Sequence, residues 1–574
     1  MKKLNLLFLI VCLIFSASQG LAQNKKKDKE QQQQMANALI TKDTINFHPE
    51  EVIIGGVYKA GFRGIKSILD PQTRACVGHY AYFKTEKDLK FMLFDTELKA
   101  LKTFDVPSSE KSGVGSASYN GAYLAFTVYD EAGKMRIFAL NINGDPISDK
   151  SINYSAEFNT SDLVPCVDDK GFYLVSQVKE DKQTGYTIYK YDSAFQEQWK
   201  KDIMPESNGY IIVEAAISDK GKLILVQRTA KNVKFSSSEA LEPSLVCYDQ
   251  NNGDLLFKSP LYDKNFLSVP NQLIIDKENN IVVAGEYYEG QKMKESNSDG
   301  VFIKKLSPAG DELVYNKVSW KEGVQKQLAK TQLSISGKNK VYIHKIVLTE
   351  DGGYQLIAET FSVSAARKLL SSASSLLSLV NDNAKYIADG VNNATYLEAL
   401  ISGRYIGEPT NNEAPITINA QDFLILNFAS DGQIEEVSKV EKEYTKVFIY
   451  NPYMYLGGLK LAKLINEYGY MDYAFTVKAK DSDNEVLISN CANAKDEYIG
   501  TIWIKKGEEK KQHQLLVERI GYIPAADGKK EKKRKVESVG LTPGADGTMV
   551  IYFMCKEDKS KSGELHMFKE TIKM

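Results

Sequence analysis

Between residues 211 and 260, short apolar runs alternate with turn residues in a pattern that predicts four strands. Residues 211–217 (IIVEAAI) open the stretch, and Ser218-Asp219-Lys220-Gly221 supplies a turn into a second run at 222–227. After a polar loop a third run covers 244–249, and the tight Gln250-Asn251-Asn252-Gly253 turn returns the chain through Asp254-Leu255-Leu256-Phe257. Asn, Asp and Gly tolerate positive φ or cap their own turn, so such hairpins close without strain. Both turn signals recur in alternation. The first appears as Asp70-Pro71-Gln72, Asn120-Gly121, Asp169-Lys170-Gly171, Glu278-Asn279-Asn280, Asp351-Gly352-Gly353, Asp483-Asn484 and Asp546-Gly547. The second appears at Asp95, Asn143-Gly144, Asp192, Gly310-Asp311, Asp431-Gly432 and Gly507. Gly121, Gly171 and Gly221 stand fifty residues apart.

Counting the paired signals gives eight units, beginning near residues 65, 115, 162, 211, 270, 341, 470 and 537. Four short strands per unit of about 50 residues match the repeat of a β-propeller. The expected fold is therefore all-β: a single large propeller over residues 46–574, with eight blades preferred and seven as the alternative. The last unit runs out of chain, while a lone apolar run at 52–58 precedes the first. Pairing that run with the C-terminal hairpin removes two sheet edges at once. In unit six the second and third strands stand more than 60 residues apart. Between them, 365–402 carries Leu369, Leu370, Leu376, Leu377, Leu379 and Val380 at helical spacing, so 362–417 is expected to be a helical insertion within the propeller.

The ends and the composition narrow the class. Lys2 and Lys3 followed by the apolar run 6–15 predict a secretory signal peptide over residues 1–22, cleaved after Ala22. Residues 23–45, Lys- and Gln-rich without periodicity, predict a disordered linker. No later run is long and apolar enough for a membrane helix, so the mature chain is expected to be exported, to the periplasm or the cell surface, with no integral membrane segment. A net charge of −1 gives no basic excess for nucleic acid. The cysteines outside the leader (Cys76, Cys166, Cys247, Cys491 and Cys555) form no C-x-x-C pair and fall mostly in strand-like runs, which favours buried thiols over a zinc site.

In a four-stranded propeller the second-to-third-strand loops and the loops between blades emerge on one face. The 362–417 insertion, the 441–466 connection and the basic run at 529–535 therefore share a face. The candidate ligand-binding residues there are Arg404, Tyr405, Tyr450, Tyr453 and Tyr455, since aromatic faces beside a guanidinium suit stacking on a sugar or packing against a peptide. Catalytic and metal patterns are poor. His48, His79, His344, His513 and His566 show no ligand spacing, and the chain has no G-x-S-x-G elbow and no Walker loop. Asp481-Ser482-Asp483-Asn484-Glu485 resembles the start of a calcium loop but lacks its later glycine and glutamate, and reads as a turn tip. No cofactor, metal or catalytic residue is assigned.

On these repeat turns the chain resembles large exported β-propeller proteins of Gram-negative bacteria whose families are functionally uncharacterised. The resemblance covers residues 46–574 and implies fold alone. The reading preferred is a non-catalytic binding or scaffold propeller that recognises a glycan or a cell-envelope protein on its insertion-bearing face. The alternative is a carbohydrate-active enzyme, glycoside hydrolase-like, with carboxylates at the channel mouth. Propeller glycosidases gather these from distant blades without a local motif. A quinone- or metal-dependent oxidoreductase is disfavoured by the lack of clustered ligands.

Overall fold

Apolar positions at alternate residues put one row of side chains on each face of a strand, and here both rows are apolar. In Tyr123–Tyr129, Leu124, Phe126 and Val128 pack one way and Ala125 and Tyr129 the other. A sheet with two apolar faces must be covered on both, and in this protein its neighbours in the repeat do the covering. The computed structural model describes residues 50–54, 64–84, 88–108, 112–129, 134–153, 161–206, 209–230, 242–290, 292, 298–328, 339–364, 404–407, 415–450, 458–480, 485–492, 496–506, 512–518, 535–556 and 563–572.

Among these residues, antiparallel pairing groups the strands into eight four-stranded units, at 65–107, 113–153, 161–203, 209–260, 266–319, 339–440, 473–518 and 535–571. The last contains three consecutive strands. Its fourth comes from Glu50–Ile54, which pairs antiparallel with Gly563–Thr571, setting Val52 opposite Leu565. Units three and four are also joined at one point, where Gln183 and Thr184 at the start of the third strand of unit three pair in parallel with Gly209 and Tyr210.

The core is a set of layers between units. One holds Phe91 of unit one and Phe126 of unit two, the next Ile137 and Phe172, and the series runs on to Ile488 with Ile551. The circle closes where Ile65 and Ala81 of unit one meet Val550 and Met567 of unit eight. Polar ties reinforce that seam: Ser67 N donates to Thr542 Oγ1 at 3.1 Å, and His79 Nε2 lies 3.1 Å from the Pro543 carbonyl. The chain is a β-propeller.

Two further features recur. The outer hairpin turn of one unit sits against the last strand of the unit before it, too closely for a side chain. A Cβ on Gly253 would lie 2.8 Å from the Trp199 ring, and one on Gly310 2.5 Å from Phe257. Both glycines also take positive φ, 71° and 95°. Second, the first strand of several units carries a β-bulge at one register position, occupied by Glu214, Asn271, His344 and Ala474.

Residues 1–22 and 23–45 lie outside the described residues, as do 365–403 and 408–414 of the expected insertion. Of that insertion, residues 362–364 continue the strand Tyr354–Ser364, and 416–417 begin Ile416–Phe428.

The packing makes a direct prediction. Phe126 is fully buried, with its ring 4.8 Å from Phe91 and 5.2 Å from Tyr80 of the neighbouring unit. Phe126→Ala is expected to cost about 3–5 kcal/mol, whereas Lys264→Ala, at an exposed turn position, should stay within about 0.5 kcal/mol. Chemical denaturation of the two variants checks the difference.

Candidate functional site

Unit six departs from the repeat. Its third strand, Ile416–Phe428, is 13 residues long. The later part pairs with the second and fourth strands of the unit, whereas Ile416–Ala420 also accepts Thr445–Ile449, a strand that follows the unit. Tyr405–Ile406 then adds to Thr445–Ile449 in parallel. A helix, Gly458–Glu467, closes over this extension. Leu461, Ala462 and Ile465, at the spacing of one helix face, pack with Tyr342, Phe361, Ile418 and Val447. Its opposite side reaches further: Lys463 Nζ lies 2.6 Å from Glu214 Oε2 on the first strand of unit four. Arg228 also pairs with Glu214. Burial opposes ionisation of Glu214, but Arg228 and Lys463 hold its carboxyl below the usual range.

A buried charge cluster lies between this cover and the first strand of unit seven. Lys442 Nζ lies 2.5 Å from Asp472 Oδ2 and 3.0 Å from Glu359 Oε1, with none of the three side chains exposed. Arg404 Nη1 meets Asp472 Oδ1 at 3.0 Å, and Nη2 donates to the Asn490 carbonyl at 2.9 Å. His344 Nε2 faces Glu359 Oε2 at 3.0 Å, with its ring stacked on Tyr473 at 4.8 Å. A carboxylate only accepts, so Nε2 carries the hydrogen. The Asp472 N–H donates to Glu359 Oε2 at 3.1 Å. Two carboxylates thus meet two cations, and Glu359 also accepts from the His344 ring N–H and the Asp472 backbone N–H.

The electrostatics follow from burial and pairing. Burial works against ionised Glu359, but Lys442 and His344 overcome it and pull its pKa down to about 2. Burial pushes Asp472 up against the pull of Lys442, and the Glu359 carboxylate adds to that rise. Burial alone would lower Lys442, yet Asp472 and Glu359 hold it well above the ordinary lysine value. Burial also pushes the neighbouring Cys491 thiol up, which keeps it a thiol.

The residues expected to form an open pocket are placed differently. The Arg404 side chain is buried in this cluster, and Tyr450 is fully buried, with its N–H donating to the Ile406 carbonyl. Both are therefore spent on holding the cover in place. Tyr405 pairs through its backbone with Phe448, and Tyr453 and Tyr455 lie outside the described residues. Two tyrosines the pocket left out take the exposed positions. Tyr444 and Tyr468 are the large aromatics that stand half-exposed among the described residues, and both lie in the connection from unit six to unit seven. The Tyr444 hydroxyl donates to Asp422 Oδ2 at 3.2 Å. The basic run before Lys535 and the Asp481–Asn484 turn lie outside the described residues. Among the described residues, no group of three or more His, Cys, Asp and Glu is placed to hold a metal ion.

A protein-family model described as "Family of unknown function (DUF6770)" matches residues 83–386, more than half of the chain. The chain belongs to that family. No curated protein matches it. Solved structures similar to it include the WD40 domain of SCAP from fission yeast, at 10% identity and a TM-score of 0.37, covering 92% of this chain and 98% of that one. The polysaccharide lyase Uly1 aligns at 9% identity and a TM-score of 0.38, covering 82% and 91%. The β-propeller domain of the Trilobed protease from Pyrococcus furiosus aligns at 8% and 0.31, covering 70% and 99%. At these scores the likenesses carry no argument about activity, and the propeller assignment in this family member rests on its own strand pairing.

The cluster generates a pH-dependent prediction. Lys442→Met strands Glu359 and Asp472 without their shared cation, and should cost about 3–5 kcal/mol at neutral pH. Protonating those carboxylates removes the need for the cation, so the gap to wild type should narrow as pH falls. Glu359 itself is depressed in the folded state. Its contribution to wild-type stability is therefore present above the unfolded carboxylate range and is lost as pH drops from about 4.5 toward about 2. Melting temperatures of both proteins at pH 7 and pH 4 check both signs.

Proposed function

We propose that the protein is an exported, non-catalytic binding propeller that takes a glycan on the face carrying the unit-six cover. The observation that carries this reading is the position of Tyr444 and Tyr468. Exposed large aromatics in the described residues are confined to the connection that also builds the cover. Tyrosine rings on a rigid support give sugars a stacking surface with little ordering cost. The support is rigid because the helix Gly458–Glu467 is held by an apolar core below and by Glu214 across from it. Residues 1–22, with two lysines before an apolar run, are the reason for placing it outside the cytoplasm.

The enzymatic alternative gains nothing specific from the structure. Glu359 and Asp472 are close enough to share one ammonium group, yet both are fully buried and neutralised, so a sugar ring does not reach them.

A glycan array probed with the purified chain tests the reading. Binding to at least one glycan class is expected, weakened about tenfold or more by Tyr444→Ala or Tyr468→Ala. A blank array, or binding that survives both substitutions, would remove the proposal.

A further inference from the structure

Units five and six share one register, and it sets one buried carboxyl in the place of another. At the inner turns Ile281 pairs with Ile275 and Tyr354 with Leu348, so Glu286 and Glu359, each five residues further on, hold the same position. The bulge beside them is Asn271 in unit five and His344 in unit six. In the outer strands, Val318 opposite Val301 corresponds to Val440 opposite Phe423, so Trp320 takes the place of Lys442.

The two carboxyls therefore meet different company. Glu359 has Lys442 and His344, and at Glu286 both partners are replaced. The Trp320 indole donates its N–H to Ser298 Oγ at 2.9 Å. The Asn271 amide turns away and donates to the Ile343 carbonyl of unit six at 3.3 Å. Glu286 keeps a hydrogen bond with the Ser298 hydroxyl, while its buried Oε1 has no partner. Val269 and Val301 flank it within the sheet. Lys340 and Tyr342 face it from the first strand of unit six, and Tyr288 from its own strand. Asp299 and Glu467 add negative charge beside those phenols, which burial keeps protonated. Burial outweighs the pull of Ser298 and Lys340 and pushes the Glu286 carboxyl up to about 7.

The piece joined to this carboxyl is not sheet. After unit five the chain turns through Trp320–Val324 and Gln325–Gln327, and Trp320, Val324 and Leu328 pack on Val282, Ala284, Val341 and Ile343 across the seam. Ser298 is the joint, since it takes the indole N–H and also holds Glu286. A protonated carboxyl leaves the joint neutral. An ionised one has a single donor and an oxygen with none, a desolvated charge that draws in water. The sheets on either side are locked by backbone ladders, so the short cover is the element that yields.

We propose that Glu286 is a proton-held latch: protonated, it keeps Trp320–Leu328 closed on the seam between units five and six, and on ionising it releases them. The latch does not rest on the glycan reading, which concerns the connection from unit six to unit seven.

Acrylamide quenching of tryptophan emission in the full chain, from about pH 5 to about pH 9, tests it. Trp320 is buried, so quenching is expected to rise in one step centred at about pH 7. Glu286→Gln keeps the shape of the protonated side chain without its titration, and should stay in the weakly quenched form throughout. Trp320→Phe should lose the step, leaving Trp199 and Trp503 unresponsive. Stability has a fixed sign as well. The folded carboxyl titrates above the unfolded one, so wild type should lose stability as pH rises from about 4.5 to about 7. Over that range it should fall behind Glu286→Gln by about tenfold per pH unit in the folding equilibrium constant, the opposite direction to Glu359. A flat wild-type profile, a step that persists in either variant, or a stability gap indifferent to pH would overturn the proposal. If Glu286→Gln folds poorly, the wild-type profile and Trp320→Phe still decide it.

Discussion

The structure depends on one constraint: each sheet is apolar on both faces, and among the described residues no helix layer runs over the ring, the helix Gly458–Glu467 covering the extension of unit six. What covers each sheet is another sheet of the same kind. A row of such sheets would leave its two ends bare, and a ring leaves none. The first and last units must therefore meet, and they do so through Ile65, Ala81, Val550 and Met567. Pairing of Glu50–Ile54 with Gly563–Thr571 supplies the fourth strand of unit eight and ties the first described strand to the last by hydrogen bonds that depend on no particular side chain.

Against that apolar background, the buried charges between units six and seven are an expensive arrangement. Apolar residues of similar size would serve stability as well or better. What the charges supply is placement. Glu359 lies in the second strand of unit six, Lys442 just after its fourth strand, Asp472 just before unit seven, and Arg404 on the connection leading to Ile416–Phe428. Four separate pieces of chain must arrive together before any one of these groups is satisfied. An apolar contact would tolerate a shifted helix; a desolvated carboxylate does not.

The repeat was legible because turns are local. Asp-Lys-Gly at 169–171 and 219–221 announces a hairpin from three residues, and Lys170 and Lys220 adopt the positive φ those turns require. The charge cluster was not legible. Lys442 stands between Glu441 and Glu443 and reads as surface, and Asp472 finds Arg404 across nearly seventy residues of sequence. The one local hint was Glu359, a charge at the end of the apolar run 354–358. Arg404 among tyrosines looked like a ligand contact because a sequence does not distinguish an arginine facing water from one facing a buried aspartate. The bulges are invisible for a related reason: a skipped residue exists only relative to the strand beside it.

The salt bridge from Lys463 to Glu214 joins parts of the ring that are not neighbours, since unit five stands between units four and six. It acts as a chord across a hoop. A hoop of similar sheets deforms by many small slips, each absorbed at one seam, and its bore ovalises without any seam failing. A strut between non-adjacent segments removes that freedom on one side. The helix Gly458–Glu467 is therefore tied to unit four as well as to unit six.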